Sequence, residues 1–169
     1  MHGDALPDVY GGFGTSLRFY GVDFSIGFTY QLGGQVLDQG YMFYMGSPAG
    51  TSTGNNYHHD LLNSWTPENS GSNIPRFAYN DSNQAAVSDR FLTSASYLNI
   101  QNITLGYTLP KRITRKFLVE NLRIYLACDN VWYWSKRQGL DPRQAINGIT
   151  NPYYYAPIRT FSGGVTVTF

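Results

Sequence analysis

Arg159-Thr-Phe-Ser-Gly-Gly-Val-Thr-Val-Thr-Phe169 decides how this chain is read. Side chains on a β-strand alternate between its two faces, so the run presents Phe161, Gly163, Val165, Val167 and Phe169 on one side. Thr160, Ser162, Thr166 and Thr168 lie on the other. Such a strand separates an apolar environment from water. A large aromatic closing an alternating strand is rarely needed in a soluble domain, whereas transmembrane β-barrels use this pattern in their walls.

Working back along the chain, the same period recurs four times. In the segment 10–20, Phe13, Leu17 and Phe19 share one parity, with Gly12, Gly14, Ser16 and Arg18 on the other. In 22–33, Val22, Phe24, Ile26, Phe28, Tyr30 and Leu32 alternate with Asp23, Ser25, Gly27, Thr29 and Gln31, a run that no helix explains. The tight break at Gly21 makes these two an antiparallel hairpin. The segment 97–109 changes phase at Gln101-Asn102, from Leu98 and Ile100 to Ile103, Leu105, Tyr107 and Leu109. One extra residue in a β-bulge accounts for that slip. The segment 122–134 carries Leu122, Ile124, Leu126, Cys128, Trp132 and Trp134 on one face, interrupted at Asn130. The strands are therefore expected at about 10–20, 22–33, 97–109, 122–134 and 159–169. The long intervals 34–95 and 135–158 are rich in Gly, Ser, Asn, Pro and Tyr, with one short helix expected over Tyr57 to Trp65 before Pro67.

Composition agrees with an all-β chain that has little charged surface. Aromatic residues make up 16% of the 169 residues and charged residues 14%, where soluble domains carry about 25%. A net charge of +1 gives no field for a polyanion, so nucleic acid is not an expected partner. No apolar run approaches the ~20 residues of a membrane helix, and Met-His-Gly-Asp lacks a signal-peptide core. Cys128 is the single cysteine, so no internal disulfide is possible and the thiol is read as packing.

Length and aromatic placement favour a membrane wall. Eleven residues at ~3.3 Å each, tilted by ~45°, cover roughly 26 Å, the height of the apolar band of an outer-membrane barrel. Tyr10, Tyr20, Tyr107, Trp132 and Trp134 fall near strand ends, where interfacial girdles sit. With Phe169 at the periplasmic rim, parity puts the 110–121 connection and the Tyr20-Gly21 turn inside and the two long loops outside. The twelve-residue basic connection is long for such a turn. Five strands cannot close a barrel, so the chain is expected to be part of a larger one. The alternative is a soluble carbohydrate-binding β-sandwich, whose strands alternate for the same geometric reason but cluster near 5–6 residues.

Several ordered segments resemble the C-terminal end of SusC/RagA-type TonB-dependent outer-membrane transporters: Ser96 to Lys111, Leu122 to Val131 and Gly139-Leu-Asp-Pro142. Trp65-Thr-Pro-Glu-Asn69, Ile74-Pro-Arg76, Ser88-Asp-Arg-Phe91 and Pro157 to Phe161 also carry the resemblance. It implies the last five strands of a 22-stranded barrel that imports glycans or peptides, is energised by TonB and is lidded by a SusD-like lipoprotein. The plug and the TonB-contacting region would lie outside this chain. It further implies that Phe161, Val165, Val167 and Phe169 form the strand signal read by the barrel-assembly machinery; Phe169 also fits a girdle aromatic.

Other signals are weaker. Adjacent His58 and His59 are expected to point to different sides, and with no third ligand at suitable spacing His58-His59-Asp60 is read as no metal site. Asn80-Asp-Ser82 and Asn102-Ile-Thr104 match a glycosylation pattern that arises often by chance, and Gly11-Gly12-Phe13-Gly14 lacks the strand and helix of a phosphate loop. The scattered Asp and Asn residues of the loops have no EF-hand order. Lys111 to Lys116 fits either anionic headgroups or a solvated turn, and Tyr153-Tyr-Tyr155 either packing or sugar stacking. No nucleophile, base and orienting group are spaced as in an enzyme, and no cofactor is expected.

Overall fold

Two residues in the left-handed region, Tyr20 at φ 47° and Gly21 at φ 85°, turn the chain between its first two strands. A two-residue hairpin of this kind needs positive φ at both central positions, because only that twist matches the flanking strands. Glycine is required at 21 for a second reason: a Cβ there would lie 2.6 Å from the Thr108 carbonyl oxygen. The Thr108 N–H in turn donates to Gly21 O at 2.7 Å, which anchors the hairpin to a strand far along the chain.

This computed structural model describes residues 4–46, 56–137, 139–144, 147–151 and 153–169. The strands are β1 (Val9–Phe19), β2 (Val22–Leu32), β3 (Gln35–Leu37), β4 (Leu92–Ser94), β5 (Tyr97–Thr108), β6 (Asn121–Ser135) and β7 (Thr160–Thr168). Two short helices, α1 (Gln39–Tyr44) and α2 (Lys111–Thr114), complete the elements together with 3-10 turns. The long strands form one antiparallel sheet in the order β1-β2-β5-β6-β7. Strands adjacent in that order are joined through the loops, so the sheet is a meander with excursions at one end.

The phase slip of β5 is a bulge that widens across the sheet. Between apolar-face partners, β2 places only Gly27 between Ile26 and Phe28. The matching interval in β5 holds Gln101 and Asn102, between Ile100 and Ile103. In β6 it holds Asp129, Asn130 and Val131, between Cys128 and Trp132. Asn130 adopts φ 51°, which Asn tolerates better than most residues, and this is why it interrupts the apolar face. The β6–β7 pairing stops at Asp129↔Thr160, and Asn130 Nδ2 donates instead to Ile158 O at 3.3 Å.

Three features depart from the sequence expectation. The interval 34–95 opens with β3, which pairs with β4, and α1 follows. The helix expected over 57–65 is a 3-10 turn over His59–Asn63, stopped at Ser64. The basic connection folds into α2 and a 3-10 turn ending on Leu118 at φ 58°. Residues 47–55 of the first loop, and 138, 145, 146 and 152 of the second, lie outside the described residues.

Among the described residues, the fully buried apolar side chains belong to the excursions rather than to the sheet: Val36, Met45, Phe91 and Ala95. Val36 and Ala95 form one cluster, with Leu140 packed against it. Leu37 bridges in parallel to Ile149, and Thr150 N–H donates to Leu37 O at 3.0 Å, so both long loops share this small core. Phe91→Ala is expected to destabilise the loop unit by about 3–5 kcal/mol. Faster proteolysis within 34–95, with unchanged β-sheet circular dichroism, is the expected reading.

Candidate functional site

The sheet has two chemically distinct faces, fixed by register. Phe13, Phe28, Ile100 and Trp132 form one row of the apolar face, and Leu17, Phe24, Leu105, Leu126 and Gly163 form another. Phe13 stacks on Phe28 with ring centroids 4.8 Å apart. Nothing among the described residues covers this face, even at its centre: Leu105 on β5 is 49% exposed and Leu126 on β6 is 66% exposed. A soluble sandwich would place a second sheet here.

The aromatics named from the sequence distribute unevenly over this surface. Trp132 and Trp134 stand opposite Ile100 and Leu98 at the loop end of the apolar face. Tyr107 lies at the hairpin end, opposite Val22 and Ile124, and Tyr20 packs edge-on against Phe19 with centroids 4.3 Å apart. Tyr10 pairs with Gln31 and so occupies the polar face. Its parity within β1 already separates it from Phe13, Leu17 and Phe19. Phe161, Val165 and Val167 sit on the apolar face opposite Cys128, Ile124 and Leu122, and exposed Phe169 follows just beyond β7.

The polar face carries a row that crosses all five strands: Arg18, Asp23, Gly106, Tyr125 and Gly164. Arg123 reaches diagonally over β5, its Nε and Nη2 donating to Asp23 Oδ1 at 3.0 Å and Oδ2 at 2.5 Å. The bridge passes directly over Gly106, where a Cβ would meet the Asp23 carboxylate at 2.5 Å and Arg123 Nη2 at 2.6 Å. Tyr125 uses the same device, lying over Gly164, where a Cβ would meet its ring and hydroxyl at 2.6–2.7 Å. The Arg123 guanidinium also sits 5.1 Å from the Tyr125 ring centre. The long polar side chains thus lie flat against the sheet.

At the loop end a third cluster joins residues far apart in sequence. Asp38 caps α1 by accepting Tyr41 N–H at 2.9 Å, and its other oxygen accepts from Arg137 Nη1 at 3.1 Å. Arg137 covers the Tyr41 ring at 4.1 Å, and Tyr41 donates its hydroxyl proton to Asp60 Oδ2 at 2.8 Å. Burial, followed by the Asp60 bond, raises the Tyr41 pKa above the ordinary phenol value. Next along the loop, buried Asp141 accepts from Arg143 Nε at 2.8 Å and Nη2 at 2.6 Å, which raises the Arg143 pKa further.

The structure also overturns the expectation that His58 and His59 diverge. Their rings lie 4.5 Å apart at 34°, and both approach the same carboxylate: His59 Nε2 is 2.9 Å from Asp60 Oδ1, and His58 Nδ1 is 3.4 Å from Asp60 Oδ2. The 3-10 turn begins at His59 with His58 as its cap, and this local backbone brings the two rings together. The Asp38–Arg137 and Tyr41–Asp60 contacts had no sequence signal, since 99 and 19 residues separate the partners.

No family model matches this chain. Along its whole length, however, it is homologous to TonB-dependent receptors, SusC among them. It is 27% identical to TonB-dependent receptor P3 of Formosa agariphila over 99% of the chain and 17% of that protein. With TonB-dependent receptor SusC of Bacteroides thetaiotaomicron it shares 28% identity over 96% of the chain and 15% of that protein. The fold is that of part of the RagAB peptide transporter, with a TM-score of 0.82 at 24% identity, covering the whole chain and 18% of that structure's chain. RagAB in its closed-closed state gives 0.81 at 23% identity. The chain therefore spans about a sixth of the length of these relatives, consistent with a C-terminal part of a SusC/RagA-type receptor.

Two outcomes follow from the site geometry. Gly106→Val is expected to displace the Arg123–Asp23 bridge and lower stability by about 1–3 kcal/mol, seen as a lower urea midpoint, while Gly71→Val, where a Cβ meets nothing within 4 Å, leaves it unchanged. Because the folded Tyr41 pKa is raised, its contribution to loop stability is fully present below about pH 10 and is lost as pH rises through the raised value. The ultraviolet difference between wild type and Tyr41→Phe should show one phenolate appearing later than the exposed tyrosines.

Proposed function

We propose that this chain is a five-strand sector of the wall of a larger TonB-dependent outer-membrane transporter. The observation that supports this most strongly is the uncovered apolar face of the central strands β5 and β6. An apolar surface of this extent needs a partner, and lipid accepts it without any second layer of protein. Lipid cannot satisfy the free backbone groups along β1 and β7, each costing several kcal/mol, so both edges must pair with further strands of a closed barrel. A 22-stranded barrel with a plug inside it is the architecture in which we place them.

In this reading Trp132 and Trp134 mark the outer membrane interface, and Tyr20 and Tyr107 the periplasmic one. The two long loops lie outside the cell, and α2 with its basic residues lies at the periplasmic rim. The polar row from Arg18 to Gly164 faces the barrel interior, where glycines under Arg123 and Tyr125 keep the wall thin. The cargo is peptide or glycan, taken with a SusD-like lipoprotein over the extracellular loops and with TonB acting through a region outside this chain. The peptide class is the one named for RagAB. β7, with Phe161, Val165, Val167 and Phe169 on its apolar side, is the strand we assign to recognition by the barrel-assembly machinery.

Spin labels placed singly at Leu126 and Ala127 test the membrane placement. Leu126→Cys is expected to be accessible to oxygen and shielded from a water-soluble nickel reagent, and Ala127→Cys to show the reverse; equal nickel access at both would overturn the reading. Phe169→Ala in the full-length protein is expected to lower its outer-membrane level several-fold, and an unchanged level would remove the assembly role.

A further inference from the structure

We propose that His58, His59 and Asp60 bind a first-row divalent metal ion, Zn²⁺ the best fitted, on the loop rim. Among the described residues this is the only group of three potential ligands whose donor atoms lie within 4.8 Å of one another. Donors around a tetrahedral ion with bonds of ~2.0–2.1 Å stand roughly 3.3 Å apart. Here one donor atom from each residue falls within a span of 4.8 Å, and the two imidazoles approach different oxygens of Asp60, His59 Nε2 at 2.9 Å from Oδ1 and His58 Nδ1 at 3.4 Å from Oδ2, so side-chain adjustment is needed to bring all three onto one ion. Two imidazoles and one carboxylate form a donor set that suits zinc, nickel or copper rather than calcium or magnesium.

The surrounding contacts orient the ligands as a metal site requires. The Tyr41 hydroxyl holds Asp60 Oδ2 at 2.8 Å, and the Tyr41 ring meets the His58 ring edge-on at 4.7 Å, so one side chain fixes both the carboxylate and the imidazole. Arg137, over the Tyr41 ring at 4.1 Å and anchored by Asp38, keeps Tyr41 in place. Outer contacts of this kind commonly set ligand orientation and metal affinity. His58 Nδ1 accepts the Asp60 N–H at 3.2 Å, so it is the acceptor nitrogen of that ring, with its lone pair engaged in this capping bond. This long bond would yield to a metal bond. Local capping needs His58 alone, yet His59, with its side chain 80% exposed, also brings Nε2 to 2.9 Å from Asp60. A rotation of that exposed imidazole brings the third protein donor to the ion.

Three protein ligands leave at least one position for water or for a donor atom of an incoming molecule. The cluster lines a cleft of about 560 Å³ with Tyr44, Arg137 and Leu140, so the remaining position is open to the solvent side of the loops. The site does not depend on the transport reading, since its ligands lie on one continuous segment outside the sheet.

Zn²⁺ titrated by calorimetry into chelator-treated, detergent-solubilised full-length protein is the test. Wild type is expected to bind one more equivalent at micromolar affinity than His59→Ala, with at least a tenfold loss at this site in His59→Ala and Asp60→Asn. Tyr41→Phe should weaken the site several-fold without abolishing it. Co²⁺ should give a tetrahedral absorption band in wild type that His59→Ala lacks, a signal that a folding defect at the exposed His59 would not mimic. Identical Zn²⁺ stoichiometry and affinity in wild type and His59→Ala would overturn the proposal.

Discussion

Every assignment of a side chain to one face or the other depends on the register of β5 between β2 and β6. A one-residue slip in a strand of period two moves its whole apolar set to the opposite side. In this sheet the slip occurs, at Gln101, and the bulge absorbs it: Ile100 still faces Phe28 and Trp132, and Ile103 still faces Ile26 and Cys128. Each successive strand inserts one more residue at that level, and the left-handed Asn130 takes the last. The apolar face remains continuous because the backbone, rather than the side-chain pattern, accommodates the mismatch.

The polar face is organised by a different constraint, that of space. Arg123 can reach Asp23 across an intervening strand only because Gly106 has no side chain, and Tyr125 can lie flat only because Gly164 has none. An ion pair that is partly solvated contributes little to stability through charge alone. Its value here is geometric, since it ties β2 to β6 over β5 and keeps bulky groups close to the sheet. Uncovered apolar groups lie on one face and flattened polar groups on the other, so the two sides of the sheet are chemically distinct.

The strand faces were legible in the sequence because period two is a local property. Val22 to Leu32 reads without ambiguity, and the phase change at Gln101-Asn102 marks its own bulge. Tyr10 was less well placed from sequence, where nearness to a strand end outweighed parity; the Tyr10↔Gln31 pairing puts it among the polar groups. The loop interior was hardly legible. β3 and β4 have three residues each, too short for a period, and α1 has six residues held by an Asp38 cap whose second oxygen serves Arg137, 99 residues away.

The sequence by itself determined that the chain builds long amphipathic strands, because alternation follows from the geometry of each strand in isolation. Its ordered motifs also carried the likeness to SusC/RagA receptors. Only the tertiary structure decided that the apolar faces align into one uncovered surface, that Val36 and Ala95 form a core within the loops, and that His58 and His59 converge on Asp60. Those outcomes depend on register between distant strands and on where a 3-10 turn begins. Both are set by contacts across the fold that no local pattern contains.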